Sequence, residues 1–222
     1  MEQDYLYTRK PDGPVGNNIV TILGTVVSEC MFSHSVYGEG FYSFNAEIPR
    51  LSDATDILPI TISERIIERD NFKVGDMVYI TGQVRSYNNY VADENRNKLI
   101  LTVFARDCEC VEINDTRSPN EVFLNGYICK PPIYRTTPFG REIADLLLAV
   151  NRSYNKSDYI PCITWGRNAR FCEKLNVGDN IRVWGRMQSR GYQKKLPDGE
   201  VSERVAYEVS ASKIEIDEEN NT

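Results

Sequence analysis

One histidine in 222 residues is very little, and its scarcity closes off much chemistry. A lone His34 builds neither an imidazole metal site nor a Ser–His or Cys–His pair. G-x-S-x-G, the Walker phosphate loop, H-E-x-x-H and the dinucleotide-binding glycine loop are all missing. We therefore expect no enzyme, no cofactor and no metal. No apolar run reaches 18 residues, and the chain does not open on a basic, then apolar, then small-residue stretch. The expectation is a cytoplasmic chain with no membrane span. The six cysteines lack zinc spacing: Cys108 and Cys110 stand two apart, and Cys30, Cys129, Cys162 and Cys172 sit in apolar surroundings. They read as small buried hydrophobes in a reducing compartment.

Positive charge is also short, with 26 Lys and Arg against 32 Asp and Glu, net −6. A protein that grips phosphate over its whole surface is not built this way. The deficit is uneven. Residues 1–119 hold 11 basic against 18 acidic side chains, net −7, while 120–213 hold 15 against 10, net +5. The last nine residues, IEIDEENNT, hold four acids. Phosphate binding draws on local charge, so the second half is its natural place.

What the chain does have is a repeat. FKVGDMVYITGQVRSY (72–87) lies over LNVGDNIRVWGRMQSR (175–190), with Val, Gly, Asp, Gly and Ser coinciding. IVTILGTVV (19–27) lies over EVFLNGYIC (121–129), and FNAEIPR (44–50) over LLLAVNR (146–152). The offset stays at 102–103 residues, so the units are domains rather than solenoid repeats.

Each unit reads as five strands with one short helix before the fourth. In the second unit the strands fall near 120–130, 141–153, 159–165, 179–190 and 201–214. The helix is RNARFCEKL (167–175), and LPDGE (196–200) makes a hairpin turn. In the first unit the strands fall near 18–29, 40–50, 56–62, 76–87 and 97–112, with helix SERIIERDNF (63–72). That order is the five-stranded Greek-key oligonucleotide-binding (OB) barrel. The expected class is all-β, two tandem OB-fold barrels each with one short helix between strands 3 and 4. Residues 1–16 are expected as a flexible arm, 17–114 as a divergent barrel, 120–216 as the binding barrel, and 217–222 as a solvated acidic tail.

Alternation along a strand separates core from face. In the fourth strand of the second unit, Ile181, Val183 and Met187 take the core parity. Arg182, Trp184, Arg186, Gln188, Arg190 and Tyr192 take the other. Unpaired arginine is almost never buried, so that parity reads as a face tracking a phosphodiester chain. The competing reading is a solvated or pairing face whose arginine stems cover apolar surface. The third strand adds Tyr159 and Trp165, six residues or about 20 Å apart. Tyr154 and Arg152 end the preceding strand, and Lys194 and Lys195 open the loop after Tyr192.

The stretch YRTTPFGREIADLLLAVNRSYNKSDYIPCITWGRNARFCEKLNVGDNIRVWGRMQSRGY (134–192) resembles the bacterial single-stranded DNA-binding proteins. Y-x-x-T-P-x-G, LAVNRSY, YIPCITWGRNA and GRMQSRGY occur in order and correctly spaced. The resemblance implies base stacking on Tyr154, Tyr159, Trp165 and Tyr192. It also implies single-stranded DNA as partner and a role in replication, recombination or repair. RNA stays open, because stacking does not read the sugar. That family places four barrels in a particle, so a two-barrel chain is expected as a homodimer. Its acidic tail closing in Pro-Phe has no counterpart in EIDEENNT, so recruitment of replication and repair proteins by that route stays open. In the first unit Ser52, Ile57 and Ser63 stand where Tyr154, Tyr159 and Trp165 do, while Tyr87 and Tyr90 still offer a ring near the exit of the fourth strand. The first barrel thus reads as a degenerate copy that pairs with the other barrel or with a partner chain. The alternative function is a protein-interaction or accessory factor, primosome-like or of a mobile element, with weak nucleic-acid binding.

Overall fold

A computed structural model describes residues 16–91, 96–195 and 199–218. The expected arm lies outside these residues except for Gly16, as do residues 219–222 of the expected tail. The first half runs β1 (Asn18–Val26), β2 (Met31–Val36), β3 (Glu39–Pro49), β4 (Thr55–Ser63), α1 (Glu64–Asp70), β5 (Met77–Val91) and β6 (Arg96–Cys110). The second runs β7 (Asn120–Ile128), β8 (Ile133–Thr136), β9 (Glu142–Arg152), a 3-10 turn (Ser153–Asn155), β10 (Lys156–Trp165), α2 (Arg167–Cys172), β11 (Asn180–Lys195) and β12 (Val201–Ile216).

Both halves close into OB barrels. In the first, β1 pairs with both β3 and β5, β3 with β4, β5 with β6, and β4 runs parallel to β6. In the second, β7 takes the place of β1, with β9, β10, β11 and β12 following suit. Alternation sets the core: Asp56, Leu58, Ile60 and Ile62 of β4 are buried, while Thr55, Ile57, Pro59 and Thr61 face out. Two strands escaped the sequence reading. β2 and β8 are short flaps paired to β3 and β9, and all six residues of β2 are exposed, so no alternation marks it.

The coinciding residues of the repeat do matching structural jobs. Gly75 and Gly178 take φ of 96° and 100°, where glycine alone is unstrained. Beside them, Asp76 and Asp179 accept the amides of Lys73 and Asn176 at 2.7 and 2.8 Å. A Cβ on Gly82 or Gly185 would come within 2.2 Å of the Phe104 or Ser210 carbonyl oxygen, at the irregular step where β5 or β11 bends to close its barrel.

The barrels join through β1 and β7, which pair antiparallel with Val20 opposite Val122. These are the same position in the two repeats, so a local two-fold axis passes between them, and both are fully buried. One sheet of twelve strands results, ending in the flaps β2 and β8.

Cys108, Cys162 and Cys172 are buried, Cys30 and Cys129 are half-buried, and Cys110 at the end of β6 is exposed. Burial raises the Cys162 thiol far above its ordinary value and the Cys172 thiol to about 12. Among the described residues no helix is long and apolar enough to cross a membrane, and no cluster of three or more acidic, His or Cys side chains could hold a metal ion.

Candidate nucleic-acid interface

The four aromatics named from the sequence all lie in the second barrel, one in a turn, two on β10 and one on β11. Tyr154 sits in the three-residue turn between β9 and β10 and is 95% exposed. Its φ of 61° and ψ of 38° place a bulky residue in the left-handed region, at a cost of about 1–2 kcal/mol. The turn thus holds a strained backbone with its ring fully in water, a conformation found at binding sites. Tyr159 and Trp165, outward on β10, are 45% and 43% exposed. Trp165 faces a groove of about 790 Å³ shared with Trp184, Arg186 and Lys213. Tyr192 is half-buried beside a second hollow formed with Arg204 and Val205. Lys194 follows it, half-buried; the Lys195 side chain is outside the described residues.

The arginine row differs from the expected row of open cations. Arg182 pairs with Asp217 at 2.6 Å, Arg186 with Asp56 of the first barrel at 3.0 Å, and Arg190 with Glu208 at 3.3 Å. Gln188 is buried between Arg186 and Glu208. The parity was right, and the row is not one of unpaired cations: β11 turns this face partly onto the first barrel, where Arg186 meets Asp56, and internal carboxylates pair with all three guanidinium groups. Trp184 is likewise engaged, its ring 5.2 Å from Phe123 and beneath Lys213 Nζ at 4.5 Å. Arg152 lies against buried Asp158 at 3.5 Å.

Asp217 corrects a second expectation. Far from being solvated in a tail, it is 1% exposed, accepts from Asn125 Nδ2 at 2.6 Å and pairs with Arg182. Its amide donates to the Asn180 carbonyl, so the second barrel extends through this residue.

The junction between barrels rests on two buried carboxylates related by the local axis. Asp56 accepts the Ser189 amide at 2.7 Å and pairs with Arg50 and Arg186. Asp158 accepts the Ser86 amide at 2.7 Å and pairs with Arg85. Burial would raise the Asp56 carboxyl, but the Arg50 and Ser189 hydrogen bonds and the two guanidinium charges outweigh it and hold it below its ordinary value. Burial outweighs Asp158 at Arg85 and lowers that guanidinium. Apart from Arg186, these junction residues were not named from the sequence, although Ser86 and Ser189 coincide in the repeat.

The Single-strand binding protein family profile matches residues 119–217. Single-stranded DNA-binding protein B of Bacillus subtilis (strain 168) is 35% identical over 86 residues, covering 34% of this chain and 74% of that protein. Single-stranded DNA-binding protein 1 of Staphylococcus aureus (strain COL) is 39% identical over 83 residues, 34% of this chain and 50% of that one. The chain spans about half the length of most of the curated relatives it matches. Among solved structures, the wild-type single-stranded DNA binding protein from Thermus aquaticus superposes with a TM-score of 0.72 at 20% identity, over 90% of this chain and 92% of that one. This last likeness extends the fold across both barrels.

Proposed function

The chain belongs to the single-strand binding protein family, and on that premise we propose that it binds single-stranded DNA with little sequence preference, chiefly through its second barrel. The observation that carries this reading is the exposure of the rings of Tyr154, Tyr159 and Trp165 on the net-basic half, the half that also carries Tyr192. Stacking on rings is sequence-tolerant because every base has a π-face. Arg190, 53% exposed although paired, and Lys194 add positive charge along the rim. The proposed units are residues 17–114 and 120–217, each closed by its own strands, and the proposed setting is cytoplasmic strand protection in replication, recombination or repair. We propose further that two chains associate, giving four barrels.

Titration of tryptophan emission with oligothymidylates at rising salt tests the binding. Quenching with affinity that falls steeply with salt is the expected result; no binding at low salt refutes it. Light scattering tests the assembly: a mass near 25.4 kDa, rather than about twice that, rules out the dimer.

A further inference from the structure

Two contacts between the barrels are equivalent by the local axis and are built differently. The repeat lays Gln83 over Arg186 and Arg85 over Gln188, so arginine and glutamine have traded places. Within each barrel the two stay together: Arg85 Nη2 donates to Gln83 Oε1 at 2.5 Å, and Arg186 Nη2 to Gln188 Oε1 at 3.1 Å. Each arginine then reaches the buried aspartate of the other barrel. Arg85 meets Asp158 and Arg186 meets Asp56, both at 3.0 Å.

Each aspartate also meets an arginine of its own barrel, and here the halves part. Arg50 grips Asp56 with two hydrogen bonds, from Nε at 2.7 Å and from Nη2 at 2.5 Å. Arg152, its counterpart in the repeat, has neither. Its Nε stands 3.5 Å from Asp158 Oδ2, and this buried atom makes no hydrogen bond. The oxygens are already taken from the first barrel. The Ser86 amide holds Oδ1 at 2.7 Å, and Arg85 Nη1 holds Oδ2 at 3.0 Å. One wholly buried carboxylate thus faces two guanidinium groups. The two cations repel: burial first, and the Arg152 charge after it, lower the Arg85 guanidinium. Arg152 closes β9 two residues before Tyr154, the most exposed of the four rings. Turning Arg152 outward breaks no hydrogen bond among the described residues and relieves a like-charge contact.

We infer that Arg85 of the first barrel is a positioning residue for the second: it occupies Asp158 and so leaves Arg152 to the phosphate beside a base stacked on Tyr154. The inference rests on the function proposed above. Without the Arg85 charge, Arg152 closes on Asp158 as Arg50 closes on Asp56. A phosphate must then draw Arg152 away from a buried carboxylate that has no other cation, and leaving that charge unpaired is costly. The first barrel acts on strand binding here through charge, from a residue that lies beneath the site.

The test counts phosphate contacts by salt. Each contact contributes about 0.7 to the slope of log affinity against log salt concentration for a single strand. Full chains carrying Arg85→Gln or Arg152→Ala are titrated with oligothymidylates of about 8 nucleotides, a length that suits one barrel. Both variants are expected to lose about 0.7 in slope and about five-fold in affinity at about 0.1 M salt. Arg85→Lys, which restores a cation to Asp158, is expected to keep the native slope. So is the double variant Arg85→Gln with Asp158→Asn, in which no carboxylate holds Arg152. Arg85→Met takes the place of Arg85→Gln if the latter does not fold. A folded Arg85 variant that is less stable yet keeps the native slope has lost only a structural contact and overturns the positioning role. A native slope in Arg152→Ala overturns it as well. In either case native binding leaves the proposed function standing, whereas a native chain that binds no oligothymidylate overturns both.

Discussion

Ser86 of the first barrel holds the backbone of Tyr159 in the second: the Tyr159 amide donates to Ser86 Oγ at 2.7 Å. The axis-related contact, Ile57 amide to Ser189 Oγ, is looser at 3.3 Å and lies under an aliphatic side chain. The tighter of the two bonds sits beneath the ring proposed to stack. The first barrel therefore holds the backbone beneath Tyr159.

Ser86→Ala should orphan the Tyr159 amide at the junction. The expected cost is about 1–3 kcal/mol of stability, with weaker binding of short oligothymidylates. Denaturant melts and a fluorescence titration check the two effects; a variant native in both sinks the positioning role.

The two tryptophans should separate. Trp165→Ala is expected to lose about 1–3 kcal/mol of binding and most of the emission quenching. Trp184→Ala should bind nearly as native, because Phe123 and Lys213 already occupy its ring. Equal losses in the two variants would show that the groove they share binds as one unit.

At Tyr154, stability and binding should move in opposite directions. Glycine is at ease at a φ of 61°, so Tyr154→Gly is expected to hold or raise the melting midpoint, by up to about 1 kcal/mol in stability. The same change removes an exposed ring and should weaken strand binding by about 1–3 kcal/mol. Parallel stability and affinity losses would argue that the ring has a structural role instead.

Acid should loosen the junction. The Asp56 carboxyl is held below its ordinary value, so the unfolded chain takes up this proton first as pH falls. Its stabilising contribution is full above about pH 4, the unfolded aspartate value, and is lost as pH drops through the depressed folded value. Melting midpoints recorded against pH should fall less steeply below about pH 4 in Asp56→Asn than in the native chain. Identical acid limbs would remove Asp56 from the account.

The order of the barrel strands was legible because local rules decide it: alternation names a face, and glycine and aspartate name turns. The flap β2 was not, since MFSHSV is exposed throughout and follows no period. Arg186 and Asp217 were misread for a common reason. Their partners, Asp56 and Arg182, stand 130 and 35 residues away, and only closure of the fold brings them within 3.0 and 2.6 Å.

The axis between Val20 and Val122 has a further consequence. A nucleic-acid strand has a 5′ end and a 3′ end and no two-fold axis of its own. Two identical barrels related by a half-turn would receive it equally well in either direction. Here the halves are joined in one chain and have diverged, with Trp165 on one side and Ser63 on the other. A strand laid across both halves would therefore meet unlike surfaces in its two directions, and one direction would bind more tightly than the other.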